Sequence, residues 1–429
     1  MKIAVFHQHY LGQEQGGGSR FNSMSRFWTS KGHDVVVIAG SVNYAGRTGQ
    51  PFRPWNLFRR ERGEGGVEVL RCWVPDTYSG SYLQRALAFL GYTISASLAS
   101  LFIARPDVIV ATSPPLVAVV PAWIASRLRW AHVPWIFEIR DLWPESAITT
   151  GILSPNSLLA KILYALERGA ATCADKINVL TPAFRDDLIR RGLADADRIV
   201  FIPNAADLDQ FQPSAASPDV RQRMGWTDKK VFLYAGAHGR ANALHQLVQT
   251  AQLLRHRSDI LIACAGDGPE RAKLDASVRQ QNLSNIVFHG PQPKAAMPGL
   301  INSATAGIAV LQDNPTFRTV YPNKVFDYMA CAKPTVLGID GVARQLVCEQ
   351  ADAGRFAAPE SPEALAAAIL ALADSAEERE RLGQNGLRWV RANADREVLA
   401  DKYLDVLSDL CGKPSTSPAH SGPLMTTRS

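Results

Sequence analysis

The sequence predicts an α/β protein built from two doubly wound parallel units that face each other across a cleft. Three observations carry that expectation. Short apolar runs of strand length alternate with longer segments of helical character. The alternation breaks once, at residues 205–222, and then resumes. Glycine- and charge-bearing motifs fall just after the apolar runs, where an open parallel sheet gathers its ligand.

The first unit, residues 1–204, has apolar runs at Ile3–Phe6, Val35–Ala39, Val67–Cys72, Val108–Ala111, Ile136–Ile139, Ile177–Leu180 and Ile199–Ile202. Parallel strands are buried on both faces and so read as continuous rather than alternating apolar segments. Residues 45–65 place Arg47, Arg53, Arg59, Arg60 and Arg62 among prolines and glycines and read as an insertion or mobile loop, either solvated or meeting phosphate or lipid. Residues 86–104 are 19 positions without a charge, the minimum for a membrane span. Leu83, Leu87, Leu90, Ile94, Leu98 and Leu101 recur there at helical spacing, the pattern of a helix packed on a sheet by that stripe. The competing reading lays part of this helix on a bilayer.

Residues 205–222 read as a linker, from Ala205-Ala206-Asp207 through Pro213 and a small-residue stretch to Pro218. The second unit, residues 223–395, has runs at Val231–Tyr234, Ile260–Ala263, Ile286–Phe288, Ala306–Leu311, Thr335–Ile339 and Arg355–Ala357. From Pro362 the chain is rich in Ala, Leu and Glu and reads as helical to Leu410. Its last helix, 396–411, is a candidate to pack back on the first unit, and 412–429 reads as a disordered tail.

At 429 residues the chain is long enough for two cores, and 46% apolar with 20% charged residues is a globular balance. The net charge of +6 favours anionic partners: nucleotide phosphates, lipid headgroups or nucleic acid. Six scattered cysteines, without metal-ligand spacing, read as reduced packing residues of a cytosolic chain. The N-terminus enters Ile3-Ala4-Val5-Phe6 directly, without the long apolar core of a signal peptide. The first strand is not followed by Gly-x-Gly-x-x-Gly, which argues against a dinucleotide dehydrogenase.

Tyr321-Pro322-Asn323-Lys324-Val325-Phe326-Asp327 reads as a loop entering a helix, with Pro322 near its start. Lys324 and Asp327 share a helix face near an electropositive helix start. Such an end suits a nucleotide sugar: the diphosphate takes the cation and backbone N–H groups, and the ribose diol takes the carboxylate. The same spacing also suits a surface ion pair. Gly16-Gly17-Gly18 after the first strand lets a backbone approach a ligand. Glu138-Ile139-Arg140-Asp141 sets charges where a buried strand ends, which suits either a site or a structural ion pair. Gly236-Ala237-His238-Gly239-Arg240-Ala241-Asn242 and Gly266-Asp267-Gly268-Pro269 follow strands of the second unit.

These motifs, in this order, resemble the family 4 glycosyltransferases of GT-B fold, and the Pro-Asn-Lys and Arg-Asp-Leu-Trp-Pro segments resemble a bacterial surface-polysaccharide sub-branch. The resemblance implies a retaining, metal-independent transfer of sugar from a nucleotide diphosphate sugar, a UDP-sugar, to a lipid-linked saccharide hydroxyl in O-antigen, capsule or exopolysaccharide synthesis. It implies no cofactor, no nucleic-acid partner, and a cytoplasmic location with peripheral contact at the inner membrane face. It assigns donor binding to Gly17, Gly18, Gly239, Arg240, Asn242, Asn323, Lys324 and Asp327. It assigns catalysis to Asp141, Arg140, Arg240 and Lys324, and the acceptor side to Glu138, Arg140 and Asp141. Thr319 stands at the family's first motif glutamate and Ala332 where the family has glycine. Two alternatives stay open beside transfer: a UDP-sugar 2-epimerase, which shares the two-domain fold, and an inactive sugar-nucleotide-binding partner subunit, which the missing glutamate at Thr319 motivates.

Overall fold

The structure, a computed structural model, describes residues 1–12, 20–43, 46–47, 52, 56–75 and 82–412. The elements of its first half are β1 (Lys2–Phe6), α1 (Arg20–Ser30), β2 (Asp34–Gly40), β3 (Val42–Asn43), β4 (Gly46–Arg47), β5 (Phe58–Arg62), β6 (Glu68–Cys72), α2 (Tyr82–Ser100), β7 (Val108–Ser113), α3 (Val119–Trp123), β8 (Trp135–Ile139), α4 (Glu145–Thr149), α5 (Leu158–Cys173), β9 (Lys176–Val179), α6 (Pro182–Arg190) and β10 (Ile199–Phe201). Its second half has α7 (Pro218–Arg223), β11 (Lys230–Ala235), α8 (His245–Leu253), β12 (Ile260–Ala265), α9 (Arg271–Gln280), β13 (Ile286–Gly290), α10 (Met297–Ser303), β14 (Ala306–Val310), α11 (Asn323–Ala330), β15 (Thr335–Gly338), α12 (Val342–Arg344), β16 (Gly354–Phe356), α13 (Pro362–Asp374), α14 (Ala376–Asn393) and α15 (Arg396–Leu410).

The strands form an eight-stranded sheet, ordered β10-β9-β8-β7-β1-β2-β6-β5, and a six-stranded sheet, ordered β13-β12-β11-β14-β15-β16. Within these two sheets all pairings are parallel except β5 with β6, and β3 and β4 pair antiparallel as a separate two-stranded ribbon. In each sheet the order reverses beside the first strand of its unit, which opens a crevice at the carboxyl ends. This is the GT-B arrangement. The apolar runs of the sequence coincide with the buried strands, because a strand covered on both faces needs apolar side chains on both.

Two expectations change. Residues 45–65 are not all loop: Phe58–Arg62 is the antiparallel edge strand β5. Its Phe-Arg-Arg-Glu-Arg sequence hides the strand from a search for apolar runs, yet charges are what an exposed edge tolerates. The leucine stripe of α2 does not face the sheet. Ala88, Tyr92, Ser95, Ala96 and Ala99 do, while Leu87, Leu90, Ile94, Leu98 and Leu101 are exposed. Small side chains let the helix axis approach the sheet closely, and Tyr92 fixes it by donating to Ile38 O at 2.8 Å.

The chain passes between the two sheets at residues 205–206 and returns at 394–396, and the two crossings are bonded side by side. Ala206 N donates to Ala394 O and Arg396 N to Ala206 O, both at 3.0 Å. Asp395 caps α15 through Glu397 N. That helix lies on α1: Trp28 Nε1 donates to Ala400 O at 3.0 Å, and the Trp28 and Tyr403 rings are 5.5 Å apart. The C-terminal helix thus belongs by packing to the first sheet's layer. The stretch expected to be a disordered tail lies outside the described residues from 413 onward.

Candidate active site

A cleft of about 1220 Å³ opens between the carboxyl ends of the two sheets. Arg20, Pro114, Arg140, Asp141 and Asn204 line it from the first half, Gly236, Asn242, Asp267, Lys294, Asn323, Lys324 and Asp327 from the second, and Arg396 from the returning helix.

α11 presents the central pair. Pro322 precedes it in extended conformation, and no side chain caps its first N–H groups. Tyr328 anchors its inner face, accepting from Ala235 N at 3.0 Å and donating to Leu233 O at 3.0 Å. The approach needs glycine at 307, where a Cβ would stand 2.1 Å from Tyr328 Cδ2. So held, the helix turns Lys324 and Asp327 into the cleft. Lys324 Nζ lies 3.6 Å from the centre of the Tyr234 ring, a cation over an aromatic face. Burial pushes Lys324 down to about 7. Burial pushes Asp327 up to about 7, against the pull of Arg396 and Lys294. The helix ends with Ala332 at φ +52°, a conformation glycine adopts more easily.

Beside α11, the turns after β11 and β12 interlock. His238 N donates to Asp267 O at 2.8 Å, and Gly236 N to Ala265 O at 2.9 Å. Gly266 has φ +144°, and a Cβ there would lie 1.8 Å from Gly236 O, so the Gly-Asp-Gly-Pro segment is the support of the first turn. Asn242 reaches the cleft. Arg240 and Gly239 do not: they line a separate depression of about 210 Å³ with α8 and α9 residues. Arg240–Asn242 is a 3-10 turn with about three residues per turn, so positions two apart project in different directions. The expected diphosphate arginine therefore points away from the cleft.

On the facing side, Arg140 Nη1 lies 3.4 Å from His7 Nε2, and His7 Nδ1 lies 2.9 Å from Thr112 Oγ1. Burial, then the charge of Arg140, hold His7 well below its ordinary value. An arginine only donates, so His7 accepts at Nε2 and carries its proton at Nδ1 toward Thr112. Asp141 accepts from Ser146 Oγ at 2.5 Å, and burial raises its carboxyl.

Glu138, expected on the acceptor side, does not line the cleft. It is fully buried, with Oε1 taking Arg20 Nε at 3.0 Å and Oε2 taking Asn178 Nδ2 at 3.0 Å. A strand-end carboxylate inside a sheet needs a partner, and the sequence hid that partner 118 residues away. Arg20 also donates to Ile202 O at 2.8 Å, tying the start of α1 to the end of β10. Gly17 and Gly18 lie outside the described residues. Thr319 is not among the cleft residues; its hydroxyl donates to Thr316 O and its carbonyl accepts from Thr181 Oγ1 at 2.7 Å.

The cleft thus joins Arg140, Asp141, Asn242, Asn323, Lys324 and Asp327 from the sequence expectation and adds Arg20, Lys294 and Arg396. Pro291-Gln292-Pro293-Lys294 after β13 carried a signal for Lys294 in its position just past a strand. Nothing in the sequence separates Arg20 or Arg396 from other helix-start arginines. Five cations against three carboxylates suit a ligand of two or more negative charges.

Comparison with known proteins agrees with the geometry. Residues 15–205 match the model described as Glycosyl transferase 4-like domain, and residues 217–389 match Glycosyl transferases group 1. The chain is 26% identical over 380 residues, 86% of its length and 91% of the relative's, to WcaI of Escherichia coli (strain K12), assigned as a colanic acid biosynthesis glycosyl transferase. Sucrose-phosphate synthase of Thermosynechococcus elongatus superposes with TM-score 0.76 at 18% identity, covering 96% of this chain and 99% of that one. Anabaena HepE in complex with UDP and glucose superposes with TM-score 0.67 at 16% identity, covering 95% and 99%. The chain is an enzyme that belongs to the family 4 glycosyltransferases of GT-B fold.

Proposed function

We propose that the enzyme transfers a sugar from a UDP-sugar to a hydroxyl of a lipid-linked saccharide in bacterial surface-polysaccharide assembly. Residues 1–204 form the acceptor side, 205–222 the linker, 223–395 the donor side, and 396–411 the helix that returns to the first unit. The observation that carries the donor reading is the placement of Lys324 and Asp327 on one face of α11 at the wall of a cation-rich cleft. Asp327 accepts from the ribose diol, and Lys324 with the uncapped N–H groups at the start of α11 receives the diphosphate. As the sugar–phosphate bond breaks, negative charge grows on the departing diphosphate, and donors already aimed at it lower the barrier. Lys324, brought to about 7 by burial in the empty cleft, takes a proton from solvent when the anionic diphosphate binds and stays charged as more charge grows there. These side chains do the work a divalent cation performs in metal-dependent transfer, and the sugar is delivered with retention of configuration. Arg140, braced by His7, and Asp141 face the acceptor hydroxyl. Support for UDP comes from the HepE structure with UDP and glucose, and for polysaccharide assembly from the WcaI assignment. The cytoplasmic face of the membrane is where such an acceptor and donor meet.

A thermal-shift screen of nucleotides and nucleotide sugars tests this, because a ligand that binds only the folded chain raises its melting temperature. UDP and a UDP-sugar are expected to stabilise. Stabilisation by NAD with none by UDP compounds overturns the reading, and release of an epimerised sugar nucleotide from donor alone replaces transfer by epimerisation.

A further inference from the structure

Ahead of the start of α11 the cleft changes character. Lys324 stands nearer that start than Asp327 by about 4.5 Å along the helix axis. A donor whose ribose meets Asp327 and whose diphosphate meets Lys324 runs toward the helix start, so its sugar comes to lie beside the residues that precede the helix. This placement rests on the UDP-sugar reading of the site.

The wall there is apolar and is made by both units. Phe317 and Val320 line the cleft ahead of α11, and Pro114 and Leu180 line it from the facing side. Val320 packs against the first unit's core, and Thr181, next to Leu180, donates to Thr319 O at 2.7 Å. Pro114 follows Ser113, whose carbonyl accepts from Arg140 N at 3.0 Å.

Hydroxyls surround this wall, yet every one of their protons is already committed. Thr149 donates to Glu145 O at 2.9 Å, so Thr316, whose hydroxyl lies 2.8 Å from that of Thr149, donates to it. Thr319 donates to Thr316 O at 2.6 Å. None of Thr149, Thr181, Thr316 and Thr319 lines the cleft. The Arg318 side chain turns to Asp313 at 2.9 Å, and the Tyr321 ring packs edge-on against buried Phe326, 6.3 Å away. A sugar hydroxyl pressed on this wall loses its water and finds no donor in exchange. Polar groups gather elsewhere in the cleft, where Arg140, Asp141 and Asn242 suit the ring hydroxyls.

We propose that the sugar transferred is a 6-deoxyhexose, with its methyl group against Pro114, Leu180, Phe317 and Val320. Carbon 6 is the substituent that reaches furthest from a hexose ring, and as a methyl it meets an apolar wall without leaving an oxygen unpaired. An acetamido group suits the wall less well, because its N–H and C=O both need partners.

Calorimetric titration of the full chain tests this with UDP alone, with UDP-glucose against UDP-6-deoxyglucose, with UDP-galactose against UDP-6-deoxygalactose, and with UDP-N-acetylglucosamine. In at least one pair the 6-deoxy sugar is expected to bind about ten- to a hundredfold more tightly than its 6-hydroxy parent. Val320→Thr keeps the shape of the wall and sets a hydroxyl on it, so it should reduce that ratio several-fold by giving the parent's 6-hydroxyl a partner. Equal affinities within both pairs while UDP binds would overturn the proposal, as would tightest binding of UDP-N-acetylglucosamine. A ratio that Val320→Thr leaves at full strength would also overturn it, since the deoxy carbon then lies against another surface. Failure to bind UDP itself would remove the donor reading, a result distinct from UDP binding without discrimination between the sugars.

Discussion

Lys324 and Asp327 stand one turn apart on α11 with opposite charge, and burial brings both to the same titration point, the lysine falling to about 7 and the aspartate rising to about 7. Each is costly to ionise in the empty cleft, and a nucleotide sugar offers each a partner in its charged form.

The affinity for a UDP-sugar, whose diphosphate diester does not titrate in this range, should therefore peak near pH 7. Above that, Lys324 loses its proton and affinity should fall by up to about tenfold per pH unit; below it, Asp327 is protonated and affinity falls on the acid side. Lys324→Met should flatten the alkaline limb and Asp327→Asn the acid limb, measured by calorimetric titration across pH. A profile unchanged by both substitutions would separate α11 from the donor.

The empty enzyme should show the reverse cost in stability. Lys324 binds its proton less tightly folded than unfolded, so its contribution to stability rises with pH between about 7 and 10.5. Asp327 binds its proton more tightly folded, so its contribution falls as pH rises from 3.8 to about 7. Lys324→Met is thus expected to raise the melting temperature most clearly below pH 7, and Asp327→Asn most clearly above it. Lowered melting temperatures in both variants across the whole range would contradict the burial account.

Glu138→Gln should act on folding. It leaves Arg20 buried against a neutral amide, and breaking a buried pair costs about 3–5 kcal/mol. Urea unfolding should show a loss of that size, with acceptor KM in the surviving folded fraction unchanged. A stable variant with an altered acceptor KM would return Glu138 to the acceptor site.

Arg240→Ala, by contrast, should leave UDP-sugar affinity within about twofold, since exposed surface charges contribute little. Lys294→Met should lower it by about tenfold or more through loss of a charged donor inside the cleft. The opposite order of effects would mean that the 239–242 turn rearranges around the donor.

The strands were legible because burial on both faces writes an apolar run at each of them, and α11 was legible because its two charges share a helix face. The rest was hidden for particular reasons. Hydrophobic spacing in α2 announces a helix but not which face is inward; packing of Ala88, Ala96 and Ala99 decided that. Glu138 and Arg140 are two residues apart on a strand end, yet one is sealed inside by Arg20 and the other reaches the cleft. Arg396 enters the cleft only because the chain crosses back beside Ala206, a long-range pairing that local sequence does not encode.

The same long-range dependence gives a test far from any charge. Gly307 is on β14, outside the cleft, but its missing side chain is the space that the Tyr328 ring fills. Gly307→Ala forces that ring, and with it α11, outward, because the ring is buried and its hydroxyl is bonded to the end of β11 on both donor and acceptor sides. Stability should fall by about 1–3 kcal/mol. UDP-sugar affinity should fall as well, because Lys324 and Asp327 ride on the displaced helix. Adding Tyr328→Leu removes the clash but not the lost anchor, so the double variant should regain stability over Gly307→Ala while its affinity stays below that of the unmodified enzyme. Full donor affinity in Gly307→Ala would show that α11 is not positioned through Tyr328.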